Sequence, residues 1–187
     1  KEGIARYKVI RRFKESVEDF KILSDKGKPS IGLVVTGGTI ASKLDSKTGG
    51  VKPITEIKDF VKVYHSLFDK VNIKKMDVPF VELSENMSSE HWIKIAESVK
   101  KMLDDKEIQG VIVTHGSDTL HYTAAALSFF LRDLNKPVVL TFSQRSIDRA
   151  SSDAEMNLNC AVETALSDCA EVMIVGHAST NDDFCYA

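Results

Sequence analysis

Short apolar runs rich in β-branched residues alternate along this chain with longer stretches whose apolar positions recur at helical spacing. Residues 31–36 (IGLVVT) are the first such run and stop at Gly37-Gly38, which predicts a buried strand and then a tight loop. Residues 54–68 carry Ile54, Ile57, Phe60, Val61, Tyr64 and Leu67 at helical intervals, with Pro53 at a favoured helix-start position. Residues 78–83 (VPFVEL) predict a second strand. Ser88 is the expected N-cap of a helix with Trp92, Ile95, Val99, Met102 and Leu103 along one face. Residues 110–114 (GVIVT), 137–142 (PVVLTF) and 171–175 (EVMIV) read as further strands. Residues 120–134 predict a helix apolar on most sides and therefore well buried, and 153–166 predict one more. Strand and helix thus alternate at least four times. The fold class this implies is α/β: a mostly parallel sheet, built by right-handed crossovers, with helices on both faces.

Residues 1–30 do not fit the alternation, and Asp25-Lys26-Gly27-Lys28-Pro29-Ser30 reads as a linker from an upstream element. The expected organisation is therefore 1–30 as the tail of an upstream region with its linker, and 31–187 as the α/β domain. The first residue is not Met and the chain stops at Ala187 just after an expected strand, so a fragment of a longer protein is expected. At 187 residues, 43% of them hydrophobic and 28% charged, the chain is long enough for a real core and too apolar for wholesale disorder. No apolar run approaches the ~18 residues of a membrane span, so no membrane partner is expected. The net charge of −2 is uneven: residues 1–30 hold nine basic and five acidic residues, the remainder sixteen and twenty-two. The main body is therefore a poor polyanion binder. Three cysteines without C-x-x-C spacing argue against a disulfide framework or zinc knuckle and suit a reducing cytoplasm. Cys160 reads as a small buried hydrophobe.

In open α/β sheets ligands bind beyond the carboxyl ends of the strands. The segments there are Thr36-Gly37-Gly38-Thr39, Ser84-Glu85-Asn86, Thr114-His115-Gly116-Ser117-Asp118-Thr119, Ser143-Gln144-Arg145 and Gly176-His177, all polar and rich in hydroxyls. In the first, two glycines permit close backbone approach to a ligand, and Thr39 either presents its hydroxyl there or caps a helix. In the third, Ser117 and Asp118 suit an activated hydroxyl and its relay, or the N-cap of the next helix. His115 is either a general base or, more simply, a structural histidine at a strand end. Neither G-x-G-x-x-G nor G-x-x-x-x-G-K-[ST] is present, which disfavours dinucleotide and P-loop sites.

T-G-G-T-I-A at 36–41 and T-H-G-S-D-T at 114–119 together resemble the two signatures of the bacterial-type L-asparaginases. The resemblance covers residues 31–187 and implies the Rossmann/flavodoxin-like N-terminal domain of that family, with its C-terminal domain absent here. Gln144-Arg145-Ser146-Ile147-Asp148-Arg149, followed by Ser151-Ser152-Asp153-Ala154, is most similar to a narrower group, the D subunits of archaeal glutamyl-tRNA(Gln) amidotransferases. Membership there implies hydrolysis of L-glutamine to supply ammonia for converting Glu-tRNA(Gln) to Gln-tRNA(Gln). A free-standing L-asparaginase and a non-catalytic amide-binding subunit are the alternatives. The resemblance puts the nucleophile on Thr39 and the relay on Ser117 and Asp118. It puts substrate binding on Gly38, Ser84, Glu85 and Gly116, with Asp118 also meeting the substrate ammonium. It implies no metal or organic cofactor in this subunit, ATP and magnesium belonging to a partner subunit that binds Glu-tRNA(Gln), and a homodimer core.

Three departures stand out. Ser117 replaces the family's usual threonine, which keeps the hydroxyl and loses a rotamer-restricting methyl. Ser46 falls about where the family carries a tyrosine that aligns the nucleophile. The family's catalytic lysine has no counterpart: the only Lys after Asp118 is Lys136, which precedes a strand and so belongs at the opposite end of the sheet. These 187 residues alone are accordingly expected to be inactive. Arg145, Asp148 and Arg149 suit an interface, an ammonia route or surface salt bridges.

Overall fold

The computed structural model describes residues 27–45, 48–65, 70–179 and 183–187. Strand β1 (Ser30–Val35) is central in a six-stranded sheet, with β4 (Asn72–Asp77) on one side and β5 (Ile108–Thr114) on the other. Beyond β5 follow β6 (Val138–Thr141), β7 (Val172–His177) and β8 (Cys185–Tyr186). All pairings within this sheet are parallel except β7 with β8. The expected α/β class, with a mostly parallel sheet covered on both faces, is therefore what the chain forms.

Within each strand, alternate residues feed opposite cores. Ile31, Leu33, Val35, Ile112 and Val139 pack with Phe60 and Tyr64 around helix α1 (Ile57–Val63) and with Leu158 and Ala161 of α4 (Ala154–Ala165). Val34, Val111, Val113, Val138 and Leu140 pack with Ile95, Val99 and Met102 of α2 (Ser89–Leu103) and with Leu120 and Leu127 of α3 (Leu120–Phe130). Burial on both faces is why these strands read as continuous apolar runs in the sequence. As expected, Ser88 is the N-cap of α2, and its backbone N–H donates to His91 Nδ1 at 3.0 Å.

Three expectations need correction. The second strand is 72–77, not 78–83. Asn72–Asp77 (NIKKMD) looks polar because it is an edge strand, and Lys74 and Lys75 reach Asp105 at 3.4 and 2.9 Å. Residues 78–83 contain Pro79, which cannot donate to a ladder, and they run past the sheet end toward the site. The helix expected over 54–68 starts only at Ile57, because Pro53 belongs to a hairpin of β2 (Ser42–Leu44) and β3 (Val51–Pro53); it runs to Val63, and 66–68 lie outside the described residues. Helix α3 ends at Phe130, with Asp133 at φ 55°, and it is not buried all round. Tyr122, Phe129 and Phe130 are 58%, 73% and 49% exposed. The short β8, antiparallel to β7, was not expected. Among the described residues no helix is long and apolar enough to cross a membrane.

Candidate active site

The crossover from β1 to β4 lies on one side of β1, while β5 lies on the other, so the strand order reverses between β1 and β5. Such a switch point splays the loops that follow the two strands and opens a crevice at their carboxyl ends. A cavity of about 510 Å³ sits there. Its lining includes every residue to which the resemblance gives a catalytic or substrate-binding role: Gly38, Thr39, Ser84, Glu85, Gly116, Ser117 and Asp118.

The floor is made of three interlocked loops. After β1, Gly37 and Gly38 adopt φ of 121° and 77°. A Cβ on Gly37 would lie 2.6 Å from the Glu82 carbonyl oxygen, and one on Gly38 would lie 2.5 Å from that of His115. The glycines therefore let loop meet loop, rather than ligand alone. The Glu82 N–H donates to the Thr36 carbonyl at 3.0 Å, which ties the loop before Ser84 to the end of β1. A Cβ on Gly116 would lie 2.6 Å from Ser84 Oγ. Ser84 is 2% exposed, and its hydroxyl donates to Asp118 Oδ2 at 3.3 Å, while Thr119 Oγ1 donates to the Ser84 carbonyl at 2.7 Å.

The hydroxyls at the strand ends divide into three groups, one of which, Thr114 Oγ1 and Ser143 Oγ, is buried without a hydrogen-bond partner among the described residues and outside the cavity lining. Thr36 Oγ1 donates to the Thr114 carbonyl at 2.8 Å, Thr141 Oγ1 to that of Val175 at 2.9 Å and Ser42 Oγ to that of Gly38 at 2.9 Å. These hold backbone. Thr39 begins a 3-10 turn (Thr39–Ala41) whose N-cap is Gly38, so Thr39 does not cap it. Helix α3 takes Thr119 as its N-cap, so neither Ser117 nor Asp118 has the capping role that was the simpler alternative. Neither the Thr39 nor the Ser117 hydroxyl is engaged by another described residue, and both line the cavity.

His115 is the structural histidine. It is fully buried, its Nδ1–H donates to the Gly116 carbonyl at 2.7 Å, and Nε2 meets Thr123 Oγ1 at 2.8 Å. Burial pushes its pKa below the ordinary 6.5, against the opposing pull of the Gly116 carbonyl. The fold thus holds a neutral ring, whereas the unfolded chain takes up a proton near pH 6.5. Its stabilisation is present above that pH and declines as pH falls toward the lower folded value. The urea midpoint of the full-length protein is expected to drop between about pH 7 and about pH 5, with a shallower drop in His115→Gln.

Sequence reasoning missed part of the walls. Val51 and Pro53 of the hairpin and Val81 and Leu83 were not anticipated there, whereas Gln144, Arg145 and Arg149, which with Ser146 also line the cavity, lie in segments the sequence had already marked. Thr48-Gly49-Gly50 was the available turn signal for the hairpin. Ser46 lies outside the described residues. The loop after β6 is closed by Asp153, whose carboxylate accepts the Gln144 and Arg145 N–H groups at 2.9 Å each. Asp148 Oδ2 accepts the Leu44 N–H at 2.5 Å, which anchors the hairpin to this loop. Among the described residues neither Arg145 nor Arg149 forms a salt bridge, which removes the surface-bridge alternative. Lys136 is at the far end of the sheet as expected, with Nζ donating to the Leu103 and Asp105 carbonyls at 2.7 Å each.

A glycine-bound loop floor at the switch point of a doubly covered parallel sheet, with free hydroxyls beside carboxylates, defines an α/β enzyme-type site. Residues 30–182 match the family described as Asparaginase, N-terminal, and the chain belongs to that family. It is 48% identical over 187 residues to the D subunit of the glutamyl-tRNA(Gln) amidotransferase of Pyrococcus horikoshii, covering 98% of this chain and 42% of that protein. The corresponding protein of Thermococcus kodakarensis is 48% identical over 189 residues, covering 100% and 42%. The chain therefore spans about two fifths of the length of these curated relatives. Among solved structures it is similar to the thermostable L-asparaginase from Thermococcus kodakarensis, with a TM-score of 0.70, 28% identity and coverage of 84% and 51%. A probable cytoplasmic L-asparaginase from Campylobacter jejuni gives 0.67, 28%, 84% and 52%.

Proposed function

We propose that this chain is the nucleophile-bearing part of a cytoplasmic amidohydrolase subunit that hydrolyses L-glutamine. The ammonia released would serve a partner subunit that converts Glu-tRNA(Gln) to Gln-tRNA(Gln). The observation that carries the reading is the division of hydroxyls: those of Thr36, Ser42, Thr119 and Thr141 hold backbone, while those of Thr39 and Ser117 stay free in the cavity. That the relatives are amidotransferase subunits supports the partner, and their identity over nearly the whole chain supports glutamine as substrate.

In this reading Thr39 Oγ1 attacks the side-chain carboxamide carbon. The C–N bond then breaks, ammonia leaves with the transferred proton, and water hydrolyses the acyl ester to release glutamate and regenerate the hydroxyl. Ser117 and Asp118 carry the proton toward a lysine outside this chain. Ser84, Glu85 and Asp118 bind the amino-acid head group, and the backbones of Gly38 and Gly116 shape the pocket beneath it. The chain itself needs no cofactor, ATP and magnesium being the partner's, and the protein is a homodimer at its core. Without the lysine these 187 residues alone do not turn over.

The test is ammonia release by the full-length protein from glutamine and asparagine, with and without Glu-tRNA(Gln) and the partner subunit. Glutamine turnover that rises with both supports the reading, and Ser117→Ala is expected to lower kcat at least about a hundredfold. Fast asparagine turnover independent of both would establish the second reading, a free-standing asparaginase, which the likeness to two L-asparaginase structures favours. No turnover of either amide would leave a non-catalytic amide-binding subunit.

A further inference from the structure

We infer that His177 is a positioning residue for the cavity: with Asn157 it braces the Asp153 carboxylate, and through that carboxylate it fixes the wall formed by the loop after β6. The inference rests on the proposed amide hydrolysis and adds to it a group that tunes substrate binding from outside the cavity. Neither His177 nor Asn157 belongs to the lining. Asn157 is fully buried in the first turn of α4, and His177 ends β7 with its side chain 11% exposed.

The hydrogen bonds decide which atoms carry the protons. Asn157 Oδ1 accepts the His177 backbone N–H at 2.9 Å, so the amide orientation is set. Its Nδ2 then donates one hydrogen to the Phe142 carbonyl at 3.0 Å and the other to Asp153 Oδ2 at 3.2 Å. Nδ2 also lies 3.1 Å from His177 Nδ1 but has no hydrogen left for it, so Nδ1 is itself the donor. Two acceptors are in reach, Asn157 Oδ1 at 3.2 Å and Asp153 Oδ2 at 3.3 Å. Oδ1 already serves the His177 N–H and meets Cys185 Sγ at 3.4 Å, so the charged carboxylate is the stronger partner. Asp153 is thus braced from behind by β7 and α4. In front it accepts the N–H groups of Gln144 and Arg145, which line the cavity. The same loop carries Asp148, to which the hairpin is tied through Leu44. One braced carboxylate therefore sets the loop wall and, through it, the hairpin wall. Thr39, Ser117 and Asp118 stand on other loops, so a slack wall weakens substrate binding and leaves the chemistry in place.

The test is glutamine hydrolysis by the full-length protein with its partner, in three variants at one position. An Asn side chain puts its amide nitrogen where the imidazole puts Nδ1, and a Gln side chain reaches instead to the place of Nε2. His177→Phe keeps a ring beside Phe142, whose centroid lies 5.7 Å from that of His177. His177→Gln and His177→Phe are expected to raise KM for glutamine about fivefold or more with kcat within about twofold, whereas His177→Asn stays within about twofold of wild type in both. Wild-type KM in both His177→Gln and His177→Phe would overturn the inference, as would a His177→Asn variant as impaired as His177→Gln, or a loss confined to kcat. If the wild-type protein hydrolyses no amide, the amidohydrolase reading fails, and hydrogen–deuterium exchange across residues 143–149 decides the brace separately. Exchange about threefold faster in His177→Gln and His177→Phe, and as in wild type in His177→Asn, supports it, whereas equal exchange in all four proteins overturns it.

Discussion

Thr39→Ala in the full-length protein is expected to lower ammonia release from glutamine at least about a thousandfold, with the thermal midpoint nearly unchanged. The two halves of this prediction come from one fact. The Thr39 hydroxyl makes no hydrogen bond to a described residue, so deleting it breaks no interaction that holds the fold. A hydroxyl left free in a cavity contributes little to stability, and its chemistry is what its removal takes away. Glutamine binding measured by calorimetry is expected to persist, because the head-group contacts are assigned to other residues. A variant that keeps more than about a tenth of wild-type turnover would move the nucleophile elsewhere, with Ser117 the next hydroxyl to test.

Gly38→Ala is expected to be the more damaging change to the molecule. Two costs combine at this position. The backbone has φ 77°, where an L side chain is strained, and the new Cβ would lie 2.5 Å from the His115 carbonyl oxygen, which cannot swing away like a side-chain tip. Strained backbone and overpacking each cost about 1–3 kcal/mol, so a total of about 2–6 kcal/mol is expected. For a protein of this size that lowers the thermal midpoint on the order of 10 °C. Gly49→Ala isolates the first cost. It shares a positive φ, 69°, but nothing lies within 4 Å of its Cβ, so a loss of about 1 kcal/mol is expected from urea unfolding. Equal losses in the two variants would show that the contact with His115 carries no weight.

The core strands were legible because both faces of β1, β5 and β6 are covered, which turns alternation into plain apolar runs such as residues 31–36 and 110–114. The edge strand was not. Lys74 and Lys75 stand where an interior strand would carry Val or Ile, and their partners, Asp105 among them, lie some thirty residues away in the chain. The better-looking VPFVEL run is apolar for a different reason: Val81 and Leu83 line the cavity. On α3 the overestimate of burial came from composition. Tyr122 and Phe129 satisfy an apolar pattern without a described neighbour covering them. The floor of the site was legible because its loops follow directly from strands. The hairpin wall was not, since it is positioned by the bond from Leu44 N–H to Asp148, a pairing across 104 residues that no local pattern encodes.

The floor loops touch through backbone atoms at Gly37 and Gly38, and at Gly116 the backbone packs on the Ser84 side chain, so a side chain added at any of the three has no room. Retargeting the pocket by directed evolution is thereby confined to the rim. Libraries at Val51, Gln144 and Arg149 can change what the cavity accepts while the chemistry beneath stays fixed, whereas diversity at the glycines yields mostly unfolded clones.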